Sequence, residues 1–347
     1  MADKGDKGDK GDKGDMAQVF VTGGSGFLGR NLIPALVGQG MGVRALARSD
    51  VAHAVVADLG AEPVHGDLDD VAVLRAGMAG CDVAFHLAAR TNDWGRSDDA
   101  YRANVIGTEH VLAAARAAGV PRLVHVSTEA VLVGAGRDYR PLVNVDETRP
   151  RPQRPLGLYA LTKGLAEQRM LAANSPELAT VIVRPRFIWG AGDTTVLPPL
   201  AQAVRAGAFV WFDGGHYLTS TCHVANACEG LLAAAARGQG GEIYFITDGA
   251  PVEFRAFVTA LLAAQRLTPG ARSIPAGLAR AAAGAAEGAW RLLRLRRELP
   301  LTRFRVRIIG EEVTVSDAKA RRKLGYAGRM SREEGLARME MGSASGG

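Results

Sequence analysis

Tyr159-Ala-Leu-Thr-Lys163 sets a phenol and an amine four residues apart, which on a helix is one face. A nearby ammonium favours the phenolate and lowers the pKa of the phenol. A phenol so poised can give a proton to a carbonyl, or take one from an alcohol, while a hydride moves. The hydroxyl pair Ser127-Thr128 closes an apolar run and can bond the same substrate oxygen, holding it against the tyrosine. Thr128 is the expected contact and Ser127 the alternative, depending on register.

Hydride chemistry needs a dinucleotide, and Thr22-Gly23-Gly24-Ser25-Gly26-Phe27-Leu28-Gly29 has the spacing to hold one. Gly23 permits a tight turn, Gly26 lets the backbone approach a pyrophosphate, and Gly29 lets a helix pack closely on a strand. The helix that follows offers free N–H groups and the positive end of its dipole to the phosphates. About 20 residues further on, an NAD site places an acid for the ribose 2′-hydroxyl. Here the second apolar run ends Arg44-Ala-Leu-Ala-Arg48-Ser49, with no acid at its tip. The Arg48 guanidinium can instead pair with a 2′-phosphate and stack on adenine. NADP(H) is therefore expected over NAD(H).

These residues need a scaffold that brings strand ends to one edge. Strands are expected at Gln18–Thr22, Gly42–Leu46, Glu62–His65, Val83–Leu87, Arg122–Ser127 and Ala179–Val183, with helices at Phe27–Val37, Val71–Met78, Asp99–Ala118 and Tyr159–Ala173. Runs such as Val19-Phe20-Val21 are apolar on both faces, as strands between two helix layers must be. The alternation implies an α/β fold, a Rossmann-type doubly wound parallel sheet, with a smaller C-terminal substrate lobe. Pro34 inside the first helix should kink it or cost stability. Later segments read as a helix at Val224–Ala236, a strand at Glu242–Thr247, a long helix at Ala276–Glu298, and a helix opened by the capping box Ser331-Arg-Glu-Glu334. The expected division is a leader over 1–15, a nucleotide-binding domain over 16–190 with returning segments near 218–250, a substrate lobe over 191–340, and a loose tail over 341–347.

The 347 residues are 47% hydrophobic and 22% charged, which excludes wholesale disorder. The leader is an Asp-Lys-Gly repeat without proline, carrying four Lys against five Asp, so the net charge of +6 becomes +7 for the rest. Cys81, Cys222 and Cys228 are too few and scattered for a disulfide framework or a zinc site, so no metal is expected and a reduced cytoplasmic compartment is the simplest reading. No uncharged run of about 18 apolar residues occurs. The segment 276–307 is rich in arginine; such a helix can be a solvated rim, lie on an anionic membrane surface, or meet an acyl-carrier phosphate. No reader motif accompanies that charge, so nucleic acid is not expected.

Together these motifs resemble the extended short-chain dehydrogenase/reductase superfamily, the NAD-dependent epimerase/dehydratase group, and within it the 3β-hydroxysteroid dehydrogenase-like reductases. The likeness runs from about Gln18 to Met339. It rests on residues 22–29, His65-Gly-Asp67-Leu68, His86-Leu-Ala88-Ala89, Asn104-Val-Ile-Gly107-Thr108, Val126-Ser-Thr-Glu129, Tyr159-x-x-x-Lys163, Arg184-Pro185 and Val315–Tyr326. The resemblance implies that Asp67 and Leu68 flank adenine, Ala88 and Ala89 wall the nucleotide, and Pro185 lies by the nicotinamide. It also implies that Ser25, Phe27, Leu28 and Asn104 belong to the cofactor site and that Lys163 holds the nicotinamide ribose. Sugar-nucleotide dehydratases of the superfamily carry Thr-Asp-Glu after the fifth strand; here Thr128-Glu129-Ala130 lacks the second acid, which demotes dehydration.

The expected function is an NADP(H)-preferring ketoreductase or alcohol dehydrogenase on a hydrophobic steroid-like, β-keto or aromatic carbonyl compound. The alternatives are a sugar-nucleotide epimerase with tightly held NAD and a nucleotide-sensing protein without turnover. Monomer and homodimer both stay open, as do solvent and structural roles for Glu129. His223 reads first as a structural hydrogen-bonding residue. Trp94, Tyr101 and Trp189 fit a pocket lining or plain packing equally well.

Overall fold

The computed structural model describes residues 17–91, 97–293, 299 and 301–344, with side chains only to 341 at the end. Its first part runs β1 (Gln18–Thr22), α1 (Phe27–Val37), β2 (Gly42–Ala47), α2 (Asp50–Asp58), β3 (Glu62–His65), α3 (Val71–Met78), β4 (Val83–His86), α4 (Ser97–Tyr101), α5 (Gly107–Ala117), β5 (Arg122–Val126), β6 (Leu142–Val145), α6 (Leu158–Ala173) and β7 (Ala179–Pro185). It continues with β8 (Ile188–Trp189), α7 (Leu197–Arg205), β9 (Trp211–Phe212), β10 (Leu218–Thr219), β11 (Cys222–His223), α8 (Val224–Arg237), β12 (Ile243–Ile246), β13 (Val252–Glu253) and α9 (Phe254–Ala263). The last elements are β14 (Ser273–Ile274), α10 (Ala276–Leu292), α11 (Arg303–Ile309), β15 (Val313–Val315), α12 (Ala318–Leu324) and α13 (Arg332–Ala344).

Seven strands form one parallel sheet in the order β3-β2-β1-β4-β5-β7-β12. Strand periodicity sorts the core into two layers. Val19 and Val21 face α1, α2, α8 and α12, while Phe20 faces α3, α5 and α6. The sheet order reverses between β1 and β4, so the crevice beyond their carboxyl ends is where an α/β sheet binds its ligand.

The remaining chain builds a lobe over that edge. A four-stranded sheet in the order β13-β10-β15-β6 draws on segments far apart in sequence. An aromatic cluster of Phe187, Trp189, Trp211, Phe254 and Phe257 packs with α7, α9 and α13. Trp189 is fully buried there, donating to the Asp248 carboxylate at 2.8 Å, so it is core.

Several local expectations change. α2 is present where no helix was expected: it is capped by the Ser49 side chain accepting from Ala52 N–H, but buries only Val56 and so shows little apolar periodicity. The helix expected over Asp99–Ala118 begins at Ser97 and passes through a π-helical turn at Arg102–Ile106, which turns Asn104 inward. Pro34 sits on the exposed face of α1, where the carbonyl it leaves without a partner can be solvated, and the helix continues to Val37. α10 ends at Leu292, short of Glu298; Arg294, Arg296, Arg297 and Glu298 lie outside the described residues, as does Trp94. α13 opens with the reciprocal capping box, Ser331 N–H to Glu334 at 3.1 Å and Glu334 N–H to Ser331 Oγ at 3.2 Å. It extends to Ala344, into the segment expected to be loose.

Gly29 shows how α1 sits on the sheet. A Cβ built there would strike the Gly23 carbonyl oxygen and the Gly24 backbone, neither of which can swing aside. Gly29→Ala should therefore destabilise the fold by about 1–3 kcal/mol, the cost of overpacking, measured by urea unfolding. A change below about 0.5 kcal/mol would show that the turn relaxes freely.

Candidate active site

The glycine turn leaves β1 at Thr22 and enters α1 at Phe27. Gly23 has φ +76°, and a Cβ there would lie 2.7 Å from the Ala88 backbone N, so two backbones pass side by side. Gly26 differs: the nearest atom to a Cβ there would be 3.3 Å away. It caps α1 without a side-chain hydrogen bond, and no acid occupies the first turn, so the positive end of that helix dipole is not neutralised by its own first turn. A cleft of about 690 Å³ opens there, lined by Gly23, Ser25, Gly26, Arg48, Asp67, Leu68, Ala88 and Ala89 among others. Phe27, Leu28 and Gly29 lie behind the turn, in α1, and do not line it. Pro185 ends β7 beside Ile246 of β12 at the same sheet edge, outside the cleft lining.

Arg48 leaves β2 with its side chain 83% exposed, its guanidinium 3.8 Å from the Asp67 carboxylate. The capped N-terminus of α2 follows directly. Leu46, Arg90 and Arg102 also line the cleft, and sequence reading did not single them out. Arg90 pairs with Asp99 at 3.9 Å and Arg102 with Asp69 at 2.8 Å. Arg90 follows directly on the Ala88-Ala89 motif, which was the available signal.

His86 fixes the strand beside the turn. Thr108 Oγ1 donates to the Asn104 carbonyl at 2.6 Å, so it accepts from His86 Nε2–H at 3.0 Å. His86 Nδ1 then accepts from the Thr22 hydroxyl at 2.7 Å. Burial, with the Lys163 charge beyond, pushes this imidazole down to about 3, keeping it neutral. Asn104 acts one layer back from the cleft: its carbonyl oxygen accepts from Arg90 N–H at 2.7 Å, and its NH₂ donates to the Arg90 carbonyl and Thr162 Oγ1, each at 2.9 Å. With both amide protons taken, it holds the exit of β4 against α6 instead of reaching into the cleft, as the expectation had it.

On α6 the expected pairing of Lys163 with Tyr159 is not what the structure shows. The Lys163 amine is buried and must find acceptors. It donates to the Val126 carbonyl at 2.6 Å and to His125 Nε2 at 2.9 Å, both on β5. Burial pulls this amine down to about 7, against the favourable field of Glu167 one turn along. His125 is held well below its usual range by burial, then by Lys163 and His86, and its Nδ1 has no partner.

Tyr159 is half-buried, edge-on to Phe304 of α11 at 6.3 Å between ring centres. Burial raises its pKa above the ordinary phenol value, the Glu129 carboxylate raises it further, and the Thr128 hydroxyl opposes both. Thr128 thus lies by the phenol as expected, but its own proton goes to Glu129 Oε2 at 2.8 Å. The Ser127 hydroxyl is buried and without a partner. Glu129 is no solvent residue: it is 3% exposed and paired with buried Arg186 at 3.0 Å. His223 caps α8, its Nδ1 accepting from Ala225 N–H at 3.1 Å, which is the structural reading. Tyr101 is 39% exposed at the end of α4.

The model of the 3-beta hydroxysteroid dehydrogenase/isomerase family matches residues 20–275. The chain belongs to that family. Among its relatives is the 4-hydroxy-2-methyl-3-oxo-4-farnesyl-3,4-dihydroquinoline-1-oxide ketoreductase of Stigmatella aurantiaca, 54% identical over 95% of this chain and 97% of the relative. The 2-alkyl-3-oxoalkanoate reductase of Stenotrophomonas maltophilia is 40% identical over 94% of this chain and all of that protein. Of solved structures, gox2253 superposes with a TM-score of 0.75 at 27% identity, covering 93% of this chain and 98% of the other. MoeE5 in complex with UDP-glucuronic acid and NAD gives 0.71 at 26%, covering 95% and 100%. This member of the 3-beta hydroxysteroid dehydrogenase/isomerase family is an NAD(P)-dependent oxidoreductase acting on CH–OH or C=O groups.

The residues present fit a nicotinamide dinucleotide. A Cβ at 26 would meet only the Gly23 carbonyl oxygen, at 3.3 Å, a looser fit than at 23 or 29, and Gly26, the N-cap of α1, lines a cleft of the right size. Among the described residues no group of three or more His, Cys, Asp or Glu could hold a metal ion, and no helix is long and apolar enough to cross a membrane. In the arginine-rich segment, Arg280 and Arg307 pair with Glu311 and Arg303 with Glu287, so part of its charge is neutralised within the lobe.

Lys163 makes a sign-definite prediction. Its folded value near 7 lies below the ordinary 10.5, so the unfolded chain binds more protons between them and stability falls as pH drops from about 10.5 to 7. Lys163→Met lacks that penalty. Calorimetry without dinucleotide should show the variant gaining on the parent as pH is lowered through this window. A gap that stays constant or closes would show that the amine is not desolvated as the structure has it.

Proposed function

We propose that the protein is an NADP(H)-preferring ketoreductase for a hydrophobic 3-oxo compound, with Tyr159 as the proton donor. The observation that carries this reading is the position of the Tyr159 phenol. It lies in the first turn of α6, edge-on to the Phe304 ring and close enough to Thr128 at the exit of β5 for that hydroxyl to act on it, and burial favours its neutral form. The relatives named for a farnesylated 3-oxo quinoline and for 2-alkyl-3-oxoalkanoates support a carbonyl beside a long apolar group.

A nicotinamide held in the cleft would supply a hydride for the carbonyl carbon. As it arrives, the carbonyl π pair moves to oxygen, and Tyr159 gives that oxygen its proton. The phenolate left behind is reprotonated before the next turnover. Lys163, one helical turn from Tyr159, is the amine that would hold the ribose of the nicotinamide once released from Val126 and His125. The Ser127 hydroxyl, buried and without a partner among the described residues, is the further candidate donor.

Tyr159→Phe removes only a hydroxyl. Dinucleotide binding should survive while carbonyl-dependent NADPH oxidation falls by about 10²-fold or more, the general-acid contribution. Turnover within a few-fold of the parent would overturn the assignment.

Cofactor choice rests on Arg48. Its exposure weakens the pair it can make with a 2′-phosphate, so the preference for NADPH over NADH should be about tenfold, equivalent to about 1.4 kcal/mol. Arg48→Ala should erase most of that gap by weakening NADPH and leaving NADH nearly unchanged in parallel titrations. A variant that keeps its preference would shift the assignment to another cation of the cleft.

A further inference from the structure

Thr128 ends β5's exit and caps the 3₁₀ turn Glu129–Leu132, which places the Glu129 carboxylate beneath the site, 3% exposed. One oxygen accepts the Thr128 hydroxyl at 2.8 Å and the other the Arg186 guanidinium at 3.0 Å. Arg186 in turn donates to Thr219 Oγ1 at 3.2 Å and to the Ile308 carbonyl at 2.8 Å. Ile308 belongs to α11, the helix that lays Phe304 against Tyr159. A hydroxyl has one proton and two lone pairs. The Thr128 proton is held by Glu129, and one lone pair accepts from Ala130 N–H at 3.2 Å. What remains for the site is an acceptor.

We propose that Glu129, clamped by Arg186, is a positioning residue that keeps Thr128 a hydrogen-bond acceptor and Tyr159 a neutral phenol, setting the site for carbonyl reduction and leaving alcohol oxidation to high pH. This rests on the reading of Tyr159 as the proton donor. A carboxylate beside a phenol opposes its ionisation. The Thr128 hydroxyl favours the phenolate, and the proton it needs for that is the one shared with Glu129, so Glu129 acts both by charge and by competing for that proton. Among the described residues, the titratable and charged groups around the phenol are few. Glu129 lies on the turn after β5, with Arg186 from β7's exit behind it. Lys163, on the phenol's own helix, is turned to His125 and Val126. α11 presents the uncharged Phe304. No side chain moves the overall equilibrium; Glu129 adds to burial in raising the pH that oxidation requires.

The test is the ionisation of Tyr159, read as tyrosinate absorbance of the dinucleotide-free protein minus that of Tyr159→Phe. In the parent, Tyr159 should titrate above the ordinary phenol value of about 10. The alcohol-oxidation rate should climb toward tenfold per pH unit up to about pH 10, while carbonyl reduction stays nearly flat between about pH 6 and 9. In Glu129→Gln both the tyrosinate midpoint and the oxidation profile should move down by about one pH unit or more. Glu129→Gln leaves Arg186 buried without its partner, so the paired Glu129→Gln/Arg186→Gln variant, which strands no charge, should show the same direction. A merely structural Glu129 would cost stability and leave both midpoints in place. An ordinary midpoint in the parent overturns the proposal without any Glu129 variant, and so does an unchanged midpoint in a folded one. If Tyr159→Phe keeps its turnover, it is the reading of Tyr159 that fails instead.

Discussion

Two arginines on β7 and its exit, Arg184 and Arg186, are each 2% exposed, and each is neutralised by a carboxylate brought from another element. Arg184 makes a bidentate pair with Glu167 of α6, both bonds 2.7 Å; Arg186 pairs with Glu129. A buried charge without its partner is costly, about 3–5 kcal/mol when one member is removed. The chain must therefore bring α6 and the turn after β5 onto β7 in one register. Glu167 lies one turn beyond Lys163, and Glu129 lies next to Thr128, so the same constraint places both elements of the candidate site.

The second arginine also ties the nucleotide sheet to the lobe. Through Thr219 and the Ile308 carbonyl, Arg186 reaches β10 and α11. From the other side, Asp248 gathers Trp189, Thr221, the His223 N–H and Asn226, all between 2.6 and 2.8 Å. Four donors on one carboxylate satisfy it without a cation and fix β8, β11 and the start of α8 beyond the sheet edge. The lobe is thus fastened by buried charge-assisted bonds at the edge where chemistry is expected. Its apolar clusters gather around Trp211 and Phe254, around Ala279 and Ala283, and, against Tyr159, around Phe304 and Val313.

Neutral imidazoles complete this polar interior. His86 and His125, with rings 5.0 Å apart, are both held unprotonated by burial and by the nearby lysine. The first is fully partnered and locks Thr22 to Thr108; the second accepts from Lys163 and leaves its Nδ1 without a partner. Such an orphan is retained only where the surroundings give more than it loses. Here it keeps a second acceptor, beside the Val126 carbonyl, for a lysine desolvated by burial.

Much of this was legible in the sequence. The strands of the sheet are apolar on both faces, so their runs stand out without any alignment, and the glycine turn carries its own steric reasons at Gly23 and Gly29. Tyr159 and Lys163 were visible because helical spacing alone puts them on one face. α2 was not visible, because a helix that buries one valine leaves no periodic trace. Nor could spacing say where Lys163 would turn: its acceptors lie on β5, 37 and 38 residues earlier, and a buried amine goes to whatever acceptor packing provides. Glu129 was ambiguous for the same reason, since Arg186 stands 57 residues away. The sequence by itself determined which groups could do chemistry and on which strand ends they stand, because those follow from local periodicity and residue type. Only the tertiary structure decided which proton each group holds, because that depends on burial and on partners that non-local packing brings within reach.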